Sequence, residues 1–399
     1  MRGLRKLALL AICLLVASAL AAPAMASGTK FEPVKIGAFF ALSGPAAVIG
    51  APTKLVAIMV ADKINKEGGI QGRPIELVLA DTEGEPTKAV MAFKKFVSVD
   101  KVAGVIGPTR TGTGMAVKKQ VEAAKMPTVM TVGGDPVIME GKLGKMDLGT
   151  ARYVFKAPQR SSVAVAKVLG YLKAHGLTKI GLLSASDGFG RDGAVWVKKL
   201  APKYGLSIVG SEQFNPKDVD MKTQLTALAA KKPAVIICWT IGPAAAIVSK
   251  NHHALGLKMP LFQCHGVPGP SYLKLAGAAA EGDLMPATKL MVYKGLPDSD
   301  PQKKVIAEFV RLYTDVYKYD KRYPINTHSG YAWDAVYLLA NAMKKVGTNP
   351  DKVRAELEKT KNYVGVSGVY NLSPQDHNGL GEDSMVILQV KGGQFVTAK

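Results

Sequence analysis

From Val34 to Met285 the apolar positions switch between two spacings. Short runs such as 34–40 (VKIGAFF) are apolar at nearly every position. Longer stretches follow in which apolar residues lie three and four apart, as in Leu55, Val56, Met59, Val60 and Ile64. The first spacing suits a buried strand, the second one stripe of a helix. Gly68-Gly69 stops the first helix, and Pro86 opens a second one carrying Ala89, Val90, Phe93, Phe96 and Val97. A first set of predicted strands covers 34–40, 75–80, 102–106 and 128–131, with a helix over 114–124. A second set begins at Tyr153, with strands at 179–184, 207–214, 234–238 and 260–264. Its helices are expected over 161–175, 192–204, 221–231 and 243–255. Strands alternating with amphipathic helices imply parallel sheets covered on both faces. The expected class is therefore α/β, with two doubly wound parallel-sheet lobes. After Asp300 the rhythm changes to helical patterns at 301–317, 331–345 and 351–359, then short strands at 384–390 and 394–397. These pieces cannot make a third sheet, so they complete the first two and the chain crosses between lobes more than once.

The first 26 residues break the rhythm and read as a cleavable export signal. Arg2, Arg5 and Lys6 precede an apolar run from Leu7 to Ala21, and Ala24-Met25-Ala26 supplies a small-x-small cleavage site. The run is too short and wrongly flanked for a membrane span. Cys13 lies inside it without the context for lipid attachment, and Arg2 is followed by Gly3 rather than a second arginine. Export in an unfolded state argues against a tightly held cytoplasmic cofactor, and none is expected. Beyond the leader only Cys238 and Cys264 remain, both closing apolar runs. Two buried thiols and one bridge fit the sequence equally well.

The chain of 399 residues carries a formal charge of +21. The excess is spread over Lys-Lys pairs (94–95, 118–119, 198–199, 231–232, 303–304, 344–345), mostly on polar faces of helical patterns. Solvated faces explain most of it, with long-range attraction of an anionic ligand as a secondary effect. No aromatic residues are interleaved with the basic ones, so nucleic acid is not an expected partner.

Ligands of open parallel sheets bind beyond the carboxyl ends of the strands. Those positions hold Leu42-Ser43-Gly44-Pro45, residues 107–113 (GPTRTGT), and Val132-Gly133-Gly134-Asp135-Pro136 in the first set. In the second set they hold residues 184–190, Trp239-Thr240-Ile241-Gly242 and His265-Gly266-Val267. Taken singly, each loop is ordinary turn and capping chemistry. Gathered around one crevice, they offer hydroxyls and backbone N–H groups to an anion at helix N-termini. Residues 188–193 (GFGRDG) also match the glycine pattern of dinucleotide sites, with Glu212 spaced for a ribose. The export signal and the bulk of Phe189 argue against a nucleotide, and Phe189 suits a lid over an apolar ligand. No catalytic constellation is present. His265 and His328 fall in candidate cleft segments, whereas His175, His252, His253 and His377 read as helix-end or turn residues.

In their order, several segments resemble the leucine/isoleucine/valine-type periplasmic binding proteins of ABC importers. They are residues 34–45, residues 65–72 (NKEGGIQG), Val105-Ile106-Gly107, residues 187–190 (DGFG), Leu275-Ala276-Gly277 with Ala280-Glu281-Gly282, and residues 331–335 (YAWDA). The resemblance implies a type I binding-protein fold: two lobes, joined by three hinge crossovers, that close on a ligand without catalysis. It implies a monomeric periplasmic protein that serves an ABC permease and binds a branched-chain amino acid or related small carboxylate. The lobes are expected at 27–155 plus 284–365 and at 156–283 plus 366–399, after a signal peptide at 1–26. The ligand carboxylate would sit on Thr111, with Gly133 and Gly134 as backbone donors and Phe189 as the lid aromatic. Trp239 and Thr240 would face it from the second lobe. His265 stands where the family carries an acid for the α-ammonium. Asp135 is the alternative partner for that ammonium; otherwise the ligand lacks an amine. The family's disulfide would need cysteines at Gly84 and Arg110 and is missing; Arg110 instead offers a positive charge beside Thr111. Ser43, Asn326 and His328 complete the expected ligand-binding set, and no metal site is expected.

Overall fold

The computed structural model describes residues 31–140 and 151–399, so the leader predicted at 1–26 lies outside the described residues. The first lobe is built on a five-stranded sheet of order β2-β1-β3-β4-β5. Its strands are β1 (Val34–Phe40), β2 (Ile75–Asp81), β3 (Gly104–Ile106), β4 (Thr128–Met130) and β5 (Val154–Lys156), and neighbours run parallel throughout. Helices α1 (Ala47–Lys66), α2 (Pro86–Lys95) and α3 (Thr111–Ala123) connect them. Alternation along β1 divides its side chains between two cores. Val34, Ile36, Ala38 and Phe40 join one cluster, while Phe39 packs with Phe93 and Phe96 on the opposite face.

The second lobe begins with α4 (Ser161–Ala174) and alternates β6 (Lys179–Ala185), α5 (Gly188–Leu200), β7 (Ser207–Phe214), α6 (Lys222–Ala229), β8 (Val235–Trp239), α7 (Pro243–Ala254), β9 (Leu261–Gln263), α8 (Pro270–Ala276) and β10 (Leu284–Thr288). The chain then returns to the first lobe as α9 (Lys303–Arg311), α10 (Thr327–Val346), α11 (Pro350–Leu357) and the small hairpin β11 (Tyr363–Val364) with β12 (Val369–Tyr370). It ends in the second lobe with β13 (Met385–Lys391) and β14 (Gln394–Thr397). The second sheet has seven strands in the order β14-β13-β10-β9-β8-β6-β7, antiparallel only where β13 joins β10 and β14. The expected α/β class and doubly wound lobes are observed, and the chain passes between the lobes three times.

Two boundaries move. β10 pairs with β9 and β13 in the second sheet, so the return to the first lobe follows Thr288 rather than residue 284. Val366, Tyr370, Leu372 and Leu380 pack in the first-lobe core, so the last crossing comes after Leu380 rather than at 366. Apolar residues continue past 284 into β10 and past 366 into the first-lobe core, so neither predicted boundary coincides with a break in the pattern.

The first and last crossings lie side by side. Tyr370 Oη donates to the Ala157 carbonyl (2.6 Å) and Gln159 Nε2 to that of Ser367 (2.6 Å). Asn378 Nδ2 bridges the carbonyls of Lys156 (3.0 Å) and Pro158 (2.7 Å). Buried His377 lies between the Val154 carbonyl and Glu358.

The glycines at 188–193 serve packing. They form the first turns of α5, four residues earlier than predicted. A Cβ on Gly190 would lie 2.0 Å from the Ala185 carbonyl oxygen, and one on Gly193 would lie 2.2 Å from the Trp239 ring. Gly50 on α1 stands in the same relation to Ala41, again at 2.0 Å. Both lobes thus use one glycine to bring the helix after the first strand hard against the strand end.

Candidate functional site

A narrow space lies between the lobes, beyond the carboxyl ends of the strands. The first lobe contributes Thr109 and Thr111 from the β3–α3 segment, Thr131 and Gly133 after β4, and His328 and Tyr331 from the first turns of α10. The second lobe contributes Phe189 from α5, Ile241 after β8, and His265 and Gly266 after β9.

Backbone bonding sets which hydrogen-bonding roles the three threonines have left. Thr109 Oγ1 accepts from the Ala41 amide (2.9 Å) and Thr111 Oγ1 from the Gly134 amide (3.1 Å). A hydroxyl that accepts from an N–H keeps its own proton to give. Thr131 is the reverse: its hydroxyl donates to the Pro108 carbonyl (2.7 Å) and keeps only lone pairs. Thr109 and Thr111 therefore present two O–H donors, at the N-terminus of α3, to whatever enters.

Aromatic groups form the facing wall. The His265 ring centroid lies 5.4 Å from that of Phe189 and 5.6 Å from that of Trp239. His265 is 1% exposed, and among the described residues neither ring nitrogen has a hydrogen-bond partner. Burial, helped by the Lys156 charge, holds its pKa well below the usual imidazole value, so it is neutral. His328 Nε2 meets the Gly266 carbonyl across the lobes (3.1 Å), and burial pushes its pKa down to about 4.

The lobes touch around this space. A Cβ on Gly133 would lie 2.7 Å from His265 Nε2 and 2.8 Å from the Phe189 ring, so only glycine fits there. Arg110 pairs with Asp187 from lobe to lobe (3.1 Å). Asp187 also caps α5 by accepting from the Gly190 amide (2.9 Å). Asp192 Oδ2 accepts from the Asp135 amide (2.9 Å).

Several predicted residues stand elsewhere. Ser43 Oγ donates to Asp81 (2.7 Å) and is not in the wall. The Arg110 charge is spent on Asp187 instead of facing the cavity, although Gly84 does lie against it as the family's bridge position would require (3.1 Å from a built Cβ). Asp135 cannot serve an ammonium. Its carboxylate accepts from Ser161 N (2.6 Å), Ser162 N (3.2 Å) and Ser162 Oγ (2.6 Å), 3.8 Å from the buried Lys156 ammonium. Gly134 backs the wall through its amide on Thr111. Trp239 is fully buried and touches His265 and Phe189 without lining the space. Thr240 is buried, its carbonyl accepting from Cys264 Sγ (2.9 Å), and its neighbour Ile241 takes the wall position. Asn326 caps α10, accepting from the Ser329 amide (3.2 Å), and lines an adjoining space shared with Gly266 and His328. Cys238 and Cys264 are free buried thiols.

Sequence reading passed over Thr109, Thr131, Ile241, Gly266 and Tyr331 as contacts. Three of the five lie in the strand-end segments already singled out, and Thr131 immediately precedes another. Tyr331 follows His328 by one helical turn at the start of α10, a spacing that could have found it.

Over residues 33–394 the sequence matches the family model described as periplasmic binding protein. The chain belongs to the periplasmic binding protein family. Among similar proteins is the Leu/Ile/Val-binding protein BraC3 of Rhizobium johnstonii, 26% identical over 283 residues, which span 70% of this chain and 75% of that one. An extracellular ligand-binding receptor from Rhodopseudomonas palustris HaA2 is 26% identical with a TM-score of 0.82, covering 92% of this chain and 100% of the other. A branched-chain amino acid ABC transporter protein from Thermus thermophilus with bound valine superposes with a TM-score of 0.77 at 20% identity, covering 92% of this chain and 96% of the other, and so speaks to the fold. The matched family and the Rhodopseudomonas palustris structure are described as a binding protein and a ligand-binding receptor.

Proposed function

We propose that this periplasmic binding protein is exported, takes up a small carboxylate between its lobes, and hands it to an ABC permease. The observation that carries the proposal is the pair of free O–H donors on Thr109 and Thr111 in a space walled by both lobes. Two hydroxyl donors at a helix N-terminus suit an anion of carboxylate size. Phe189, Ile241 and Tyr331 suit an apolar body, as in the branched-chain amino acids named for the relatives. Binding and closure are one event. The first lobe holds the carboxylate, and rotation about the three crossovers brings Phe189, His265 and Gly266 over the rest. The leader at 1–26 supports export, and the names of the relatives support an importer as the recipient.

Isothermal titration of the purified protein with leucine, glutamate and benzoate-like acids tests the proposal. One ligand bound per chain with a negative heat-capacity change is the expected result. Silence across amino and organic acids alike would remove it.

A further inference from the structure

We infer that the ligand carries a carboxylate but no ammonium group, and that His265 hydrogen-bonds an uncharged oxygen on it; this rests on the carboxylate-trapping function proposed above. An ammonium taken out of water needs a counter-charge as well as acceptors. Among the described residues, the wall holds neither Asp nor Glu. Of the carboxylates near the lobe contacts, Asp187 is held by Arg110 and Asp135 by Ser161, Ser162 and Lys156; Asp192 takes the Asp135 amide on Oδ2, and its Oδ1, unpartnered among the described residues, does not line the space. Neutral acceptors do remain. Thr131 keeps its lone pairs, and His328, whose Nε2–H faces a carbonyl, keeps an unprotonated Nδ1. They would solvate an ammonium without balancing its charge. The fully buried Lys156, 3.8 Å from Asp135, also acts on His265 against a positive charge.

His265 supplies the second half. A neutral imidazole has one N–H and one lone pair. Among the described residues neither nitrogen finds a partner, although the ring is buried and fixed by Phe189 and Trp239. An unmet buried polar group is costly, and a ligand atom that meets it gains that difference. A keto or hydroxyl oxygen does so without bringing charge into the field of Lys156. A hydrocarbon leaves the ring unmet, and an ammonium adds an uncompensated charge.

Titration of the intact protein near neutral pH with two matched series decides the matter. One series is leucine, the acid with an oxo group in place of its amine, and the plain acid with neither; the other is the same trio built on phenylalanine. In the series that binds, the oxo acid is expected to bind at least about tenfold tighter than the amino acid. His265→Leu should erase the advantage of the oxo acid over the plain acid, and His265→Asn, which keeps a donor and an acceptor, should restore part of it. An amino acid that binds as tightly as its oxo counterpart overturns the inference while leaving carboxylate trapping intact. A plain acid as tight as the oxo acid removes His265 from recognition. Silence in both series removes the proposed function as well. Mass spectrometry of small molecules released on denaturation gives an independent readout: a retained acid with a primary amine overturns the inference alone.

Discussion

Thr111 does two jobs with one hydroxyl. It accepts from the Gly134 amide and so fixes the loop after β4, and it keeps a proton for the ligand. Thr111→Ala should weaken carboxylate binding by about 1.5–3 kcal/mol, the usual worth of a hydrogen bond to a charged group, and Thr111→Ser should retain most of the affinity. Unchanged affinity in a titration of the alanine variant would take Thr111 out of the site. Gly133 acts by having no side chain. A methyl there would press on His265 Nε2 at 2.7 Å, and this contact exists only with the lobes together. Gly133→Ala should therefore leave the melting temperature near wild type and impair closure. Small-angle scattering with ligand should show the wild type contracting and the variant failing to do so. Equal contraction would mean that the lobes close without bringing these surfaces into contact.

At the scale of elements, the entry to α4 is held by buried charge. Asp135 caps it through Ser161 and the half-buried Ser162 and faces Lys156, with both charges in the protein interior. Burial and the Asp135 charge push the Asp192 carboxyl up, while burial pushes the Lys156 ammonium down. Removing one partner of such a pair strands the other. Asp135→Asn should cost about 3–5 kcal/mol in urea unfolding, and adding Lys156→Met should recover much of the loss. Additive losses in the double variant would mean the two groups are not coupled. Asp135 also illustrates how far the sequence could be read. Its place after β4 was evident from the strand–helix rhythm, and it drew attention as a candidate partner for a ligand amine. What could not be seen was Lys156, on a three-residue strand with no pattern of its own, or the two serines of α4 that take its oxygens. Arg110 misled for the same reason, since Asp187 reaches it from the other lobe. The strands and helices follow from periodicity because each repeats every two or about four residues. Contacts between lobes join residues far apart in sequence, and periodicity carries no trace of them. The crossings at Thr288 and after Leu380 were misplaced because apolar residues continue past 284 into β10 and past 366 into the first-lobe core.

For the whole molecule, closure should depend on pH through His328. In the closed form it is half-buried against the Gly266 carbonyl with its pKa lowered to about 4; a solvated imidazole stands near 6.5. The closed form thus binds fewer protons than an open one in which the ring is wet. The contribution of His328 to closure is complete above about pH 6.5 and is lost as pH falls toward 4. Affinity should be level in mild alkali and weaken below about pH 6.5, by up to about tenfold per unit for one histidine. Carboxyls with raised pKa, such as Asp192, work in the opposite direction, so the comparison must isolate the ring. Titrations of wild type and His328→Gln side by side should show a shallower acid fall in the variant. Parallel curves would remove His328 from the linkage. What joins these effects is a clamp whose two halves are each incomplete: donors on one side, aromatic cover on the other. A crystal structure of the protein with its cargo puts that to the test. The carboxylate should lie between the lobes at about 2.7 Å from both Thr109 Oγ1 and Thr111 Oγ1, the ordinary O–H···O distance, with the remainder against Phe189 and His265. A cargo molecule bound on the outer surface of one lobe, or one whose acid group faces His265 with both threonines unoccupied, would contradict it.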